Sequence, residues 1–185
     1  FPLSFEPFVG FSMHQPRSKK LAYIIIILSL LFLTPYFILN RYNMPMADDF
    51  YFSLQAIEHG FWGNQINMYK ILSGRFIATI WLSFNPVVWR KLELFPLYSF
   101  VNMVLFFIAL GFFVRRVFEF FEIKKYWLPA SLMTAVAIVA HLPSTAQAFY
   151  WMTGYTNYMM SNTAMLIIAG LYLSGLKAGR FHWGP

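Results

Sequence analysis

The sequence contains no cysteine, which excludes disulfides, zinc–thiolate sites, iron–sulfur clusters and cysteine nucleophiles over its 185 residues. Charge is scarce as well. Only 11% of the residues are charged and seven are acidic, against 59% hydrophobic residues and 22 phenylalanines. That leaves too little polar surface to coat a soluble globule of this size, so lipid is the natural solvent. The alternation of apolar and polar positions over about ten residues that marks a transmembrane barrel is missing; residues 23–33 instead run on without one charged side chain. No P-loop, Gly-rich dinucleotide fingerprint or Gly-x-Ser-x-Gly nucleophile elbow is present, which argues against an enzyme of soluble nucleotides. His14, His59, His141 and His182 show no ligand spacing with one another or with carboxylates, so no metal motif exists.

What is present is a set of apolar runs separated by short basic segments. The net charge of +7 does not form a stripe interleaved with exposed aromatics, so nucleic acid is not the expected partner. Residues 21–39, 95–114, 126–142 and about 160–176 are free of Asp, Glu, Lys and Arg and are long enough to cross a bilayer as helices of roughly 17 to 25 residues. The expected fold is an all-α polytopic transmembrane helical bundle. Arg17, Lys19 and Lys20, then Arg115, Arg116, Lys124 and Lys125, then Lys177 and Arg180 fall on one side, and Arg41, Lys70, Arg75, Arg90 and Lys91 on the other. The positive-inside rule makes residues 1–20 a cytoplasmic lead and the first run an uncleaved signal anchor, with Met13 as a potential start. The chain reads as the N-terminal piece of a longer protein, with further helices expected beyond it.

The outer side then receives a long segment, 40–94, and a short one, 143–158. In the long segment Phe50, Leu54 and Ile57 recur at helical spacing and Gly60 follows, which predicts an interfacial amphipathic helix over 48–59. Residues 71–84 are apolar but short, contain Gly74 and Arg75 and end at Asn85-Pro86, which suggests a second interfacial or re-entrant helix.

Chemistry has few places to reside. Asp48 and Asp49 stand together just after the first span. Mutual repulsion and partial desolvation would raise a carboxylate pKa there and make a better general base for an acceptor hydroxyl. Equally, Asp48 could be the N-cap of the helix beginning there, with Asp49 in its first turn. Arg75, in Ser73-Gly74-Arg75-Phe76, offers fixed donors to a phosphate or an anchor to anionic headgroups. The turn from Tyr150 to Tyr158 gathers Tyr150, Trp151, Tyr155 and Tyr158 around Thr153, Gly154, Thr156 and Asn157. It suits either sugar stacking or an aromatic belt at headgroup level.

Taken together, Ala47-Asp48-Asp49-Phe50 at the start of a large outer loop, Ser73-Gly74-Arg75-Phe76, and Trp151-Met152-Thr153-Gly154 with Tyr158 resemble the GT-C superfamily of polytopic membrane glycosyltransferases. The likeness is closest to a bacterial family related to the glucosyltransferases that decorate surface polysaccharide, and it covers about residue 19 onward. The resemblance implies a bacterial inner-membrane enzyme that moves a sugar from a polyprenyl-phosphate carrier to a glycan or lipid acceptor of the cell envelope. It implies Asp48 or Asp49 as general base, Arg75 against the departing lipid phosphate, and Trp151, Tyr155, Asn157 and Tyr158 at the substrate. No cofactor is expected, and a divalent ion beside the acidic pair is left open. The rival readings are a flippase or transporter component, for which the runs lack ionisable groups, and a non-catalytic membrane scaffold.

Overall fold

The computed structural model describes residues 16–72, 74–123 and 125–179. The lead 1–15 with Met13 and His14, the Arg17 side chain, Ser73, Lys124, and 180–185 with Arg180 and His182 lie outside the described residues. Every regular element described is helical. They are α1 (Pro16–Leu39), a 3₁₀ turn (Asn40–Tyr42), α2 (Asp48–Ile71), α3 (Phe76–Ser83), a second 3₁₀ turn (Leu92–Leu94), α4 (Phe95–Phe120), α5 (Trp127–His141), the single turn α6 (Met152–Gly154) and α7 (Met160–Lys177). Two π-helical turns, Ala146–Tyr150 and Tyr155–Met159, flank α6.

Three stretches, Lys19–Tyr42, Leu92–Phe120 and Met152–Lys177, are long and apolar enough to cross a membrane. The fourth expected span forms α5, which at 15 residues is about 22 Å long and short of a hydrocarbon core of about 30 Å. Exposure along α1 agrees with a lipid surrounding. Leu21, Ile24, Leu28 and Leu31 are exposed while only Ser29 and Leu33 are buried in the protein. An apolar helix so little covered by its own chain associates with lipid, and this is a membrane protein.

The core lies where α1, α4, α5 and α7 meet. Leu33, Met103, Phe106, Leu110, Val139 and Phe149 form its centre. Phe149 stacks on Phe107 at 5.8 Å and meets Phe106 at the same separation. Helix α7 approaches α4 closely at Gly170, where an added Cβ would come within 2.5 Å of the Phe112 ring. One end of the bundle is basic. Arg115 and Arg116 pair with Glu119 at 2.8 and 2.6 Å, and the Lys177 ammonium donates to the Glu119 carbonyl. These i,i+3 and i,i+4 pairs carry α4 six residues past the expected stop at Val114.

At the opposite end, Asn43 fastens the chain leaving α1. Its amide donates to Ser99 Oγ at 2.6 Å and to the Tyr150 carbonyl at 2.7 Å. The Tyr150 hydroxyl in turn donates to the Tyr36 carbonyl at 2.7 Å. Burial pushes that phenol up to about 12, so it stays a donor at neutral pH.

The loop segment departs from expectation in two places. Gly60 does break the helix, with φ 65° and ψ 173°, but the chain resumes helical structure to Ile71, so α2 has a second arm beyond the expected stop at 59. The 71–84 segment is divided between the last residue of α2, a bend, and an α3 of eight residues. At about 12 Å, α3 is too short to cross a bilayer.

The close approach at Gly170 gives a test of the bundle. Gly170→Ala must push the Phe112 ring aside, and overpacking of this kind costs typically 1–3 kcal/mol. Gly111→Ala, on the same pair of helices but with nothing near its added Cβ, should be neutral or slightly stabilising. Thermal unfolding in detergent that ranked the two variants equally would refute this packing.

Candidate functional site

The acidic pair begins at a strained turn. Ala47 has φ 47° and ψ −118°, a left-handed conformation that favours glycine, and the Asp49 amide donates to the Met46 carbonyl at 3.0 Å across it. Asp48 is the first residue of α2 rather than its N-cap. Ala47 holds the cap position, and no side chain caps the helix. With successive residues turned about 100° around a helix, the two carboxylates point to different surroundings. Asp48 is exposed, while Asp49 is fully buried.

Asp49 points into the turn that the sequence singled out 100 residues downstream. Its Oδ1 accepts from the Thr153 amide at 2.9 Å and the Thr153 hydroxyl at 2.7 Å, and its Oδ2 accepts from the Met46 amide at 3.1 Å. Burial pushes the Asp49 carboxyl above the usual range, opposed by the hydrogen bonds from Met46 and Thr153. Repulsion from Asp48 is not among the causes, which corrects the expectation that the pair perturb each other.

The backbone around Thr153 is built to make this contact. The π turns on either side widen the helix, and Gly154 sits where a Cβ would strike the Gln147 carbonyl and come within 2.7 Å of the Trp151 ring. From Thr153 the contacts continue outward. Asn157 donates to the Thr153 carbonyl at 3.0 Å, and Arg75 reaches Asn157 Oδ1 with one guanidinium nitrogen at a loose 3.5 Å. Arg75 is exposed at the rim of a cleft of about 60 Å³ lined also by Asn157, Thr79, Phe52 and Leu82. The structure thus joins Asp49, Thr153, Asn157 and Arg75, drawn from three separate sequence motifs, in one line of contacts.

Other expected site residues fall elsewhere. Tyr155 is 3% exposed in the hydrophobic core, and its hydroxyl donates to the Asn102 carbonyl at 2.6 Å. Tyr158 is exposed, and Trp151 is half-buried with its indole nitrogen unpartnered among the described residues. His141 bonds the Ala137 carbonyl of its own helix at 2.8 Å. Among the described residues no three His, Asp or Glu side chains cluster as a metal site would require.

Sequence reasoning passed over the polar residues that support the site. Ser53 donates its one hydroxyl proton to the Asp49 carbonyl at 2.6 Å, shared with Asn85 Oδ1 at 3.1 Å, and Asn85 Oδ1 also accepts from the Val87 amide at 2.8 Å. Asn64 and Gln65 both donate to Ser83 Oγ, at 3.0 and 3.1 Å. The signal was available in the spacing of Asp49, Ser53 and Ala56, a small and polar stripe complementary to Phe50, Leu54 and Ile57. All three stripe residues are buried, and the apolar three are exposed.

No protein-family model matches this chain, and no curated protein or solved structure matches it significantly.

The Asp49–Thr153 contact can be tested by stability. Thr153→Val keeps the shape and removes one charge-assisted bond, for an expected loss of about 1.5–3 kcal/mol. Asp49→Asn must turn a donor towards either Thr153 or Met46, leaving donors opposed, and should cost at least as much; the double variant should fall well short of the sum. Additive losses would mean that the two residues do not interact.

The raised Asp49 pKa sets the sign of a pH effect. Its contribution to stability is fully present below the ordinary value of 3.8 and is lost as pH rises through the folded value. The stability gap between the native chain and Asp49→Asn should therefore narrow as pH rises from the ordinary carboxylate range towards neutral. A gap that widened would show a carboxylate held ionised by its donors.

Proposed function

We propose that this protein is a multi-pass membrane glycosyltransferase of GT-C type, transferring a sugar from a polyprenyl-phosphate carrier to a glycan or lipid acceptor of the bacterial cell envelope. The observation that carries the reading is the line of contacts from Asp49 through Thr153 and Asn157 to Arg75. It links an acidic helix start to an exposed guanidinium that is only loosely held by Asn157, at the end of the bundle that carries the 150–158 turn. Alpha2 and α3 lie at the membrane interface in this reading, with Phe50, Leu54 and Ile57 turned to lipid.

The two acids divide the work. Asp48, exposed, takes the proton from the acceptor hydroxyl as its oxygen bonds to the anomeric carbon of the sugar. The bond from that carbon to the carrier phosphate breaks, and its electron pair leaves with the phosphate. Arg75 meets the charge that develops on the phosphate oxygens, where a planar guanidinium offers paired donors. Asp49 holds the start of α2 in register with the Thr153 turn, so that Asp48 and Arg75 keep their spacing. Trp151 and Tyr158 offer stacking faces for the sugar.

A second reading, a non-catalytic scaffold, draws on the complete burial of Asp49, which is what a purely structural latch would show. Transfer of radiolabel from a panel of polyprenyl-phosphate sugars to membrane acceptors separates them. Under the enzyme reading Asp48→Asn leaves expression and unfolding temperature unchanged and lowers transfer about 10²–10⁴-fold, the usual worth of a general base. Arg75→Ala should lower it comparably, whereas Asp49→Asn loses stability together with transfer. Native-level transfer by Asp48→Asn would end the assignment of Asp48, and no transfer from any donor would favour the scaffold.

A further inference from the structure

A second lipid-facing feature lies at the basic end of the bundle, far along the chain from the acidic pair. A cleft of about 270 Å³ opens between the start of α1, the end of α4 and the start of α5. Its walls are almost wholly apolar, formed by Leu21, Ala22, Ile25, Phe118, Pro129 and Met133. The volume is below the 300–1,000 Å³ or so typical of pockets for compact ligands. It suits a thin flexible chain and is too narrow for a helix, whose diameter with side chains is about 10–12 Å.

The rim carries cations without local partners. Lys19 stands one turn before Ala22 on α1, and Lys125 immediately precedes Tyr126, another wall residue. Both are exposed, and neither makes an ion pair among the described residues. Lys20, beside Lys19, is exposed as well and makes no ion pair among the described residues, whereas the cations of α4 and α7 are engaged. Arg115 and Arg116 share Glu119, Arg115 also lies over the Trp127 ring at 5.6 Å, and Lys177 binds the Glu119 carbonyl. Glu119 is thereby committed to the arginines, which leaves Glu122, two residues past the end of α4, as the remaining nearby acid. The mouth of the cleft is also held in an unfavourable backbone conformation, with Tyr126 at φ 67° and Glu122 at φ 60°. Such strain persists where surrounding structure fixes a particular shape.

We infer that this cleft is a binding site for an anionic glycerophospholipid, one acyl chain lying between α1, α4 and α5 and the phosphate headgroup meeting Lys19 and Lys125. An apolar slot supplies no reason to prefer one lipid over another, but two unpaired ammonium groups at its mouth do. Each contributes on the order of fivefold in affinity towards an anionic headgroup, from about 1 kcal/mol per basic residue near a charged membrane surface. The inference is independent of any transferase activity.

Native mass spectrometry of the full chain released from mixed phosphatidylglycerol and phosphatidylcholine nanodiscs tests it. The native protein should retain phosphatidylglycerol at least tenfold over phosphatidylcholine. Lys19→Gln/Lys125→Gln, both surface changes, should abolish that preference while keeping the native unfolding temperature. Ala22→Phe, which fills the cleft from the exposed helix α1, should reduce retention of both lipids. Equal retention of the two lipids by the native protein overturns the site, as does a native preference in the double lysine variant.

Discussion

The structure depends on how one buried carboxylate is satisfied. An acid withdrawn from solvent costs several kcal/mol unless donors meet it, and Asp49 finds three, two of them on Thr153. Because Thr153 belongs to the turn before α7 and Asp49 to the start of α2, that group ties the long loop segment to the bundle, alongside Asn43 and the packing of Leu82 on Phe95 and Met152. The strain at Ala47 persists because the Asp49 carboxylate holds the Met46 amide on the other side of the turn. Losing either Thr153 donor would leave the acid short of partners in a place water does not reach.

The same logic extends along α2 and α3. In a water-soluble protein the apolar stripe of such helices would face inward, but over residues 49–57 the polar and small residues do, with Met68 and Leu82 joining them further along. Ser53, Asn64, Gln65, Ser83 and Asn85 bond to one another or to backbone inside, and Phe50, Leu54, Trp62 and Phe84 are turned out. A distribution of this kind is stable where the exterior is apolar, since outward apolar side chains are then solvated by lipid while Ser53, Ser83 and Asn85 are paired inside and Asn64 and Gln65 are held through their amide nitrogens.

Sequence alone made the long elements legible. Alpha1, α4 and α7 follow from uncharged stretches of sufficient length, and the basic ends of α4 and α7 meet at Glu119 as the distribution of Lys and Arg suggested. The extra turn and a half of α4 was hidden because Arg115 and Arg116 look like a boundary until Glu119 is seen to pair with both. The second arm of α2 was hidden because Gly60 is a real break, a non-helical kink after which the chain resumes helical structure. At the site, the importance of the acidic pair and of the 150–158 turn was visible, but their contact was not. Nothing local to either segment reports a hydrogen bond between residues 104 apart in sequence. Tyr155 illustrates the converse, because composition cannot separate an aromatic ring that faces a pocket from one whose hydroxyl has a backbone carbonyl within the core.

Adjacent carboxylates on a helix cannot share one environment, and that constraint shapes what the pair can do. About 100° of rotation separates them, so burying Asp49 against Thr153 necessarily turns Asp48 away from it. A carboxylate fully buried and already holding three donors is poorly placed to accept a proton from a substrate hydroxyl, since a substrate does not reach it. An exposed one beside it has free lone pairs and gains a fixed position from its neighbour's bonds. In the proposed reaction the inner acid therefore supplies geometry and the outer acid supplies basicity, and exchanging the two roles would require the α2 start to rotate and abandon the Thr153 turn.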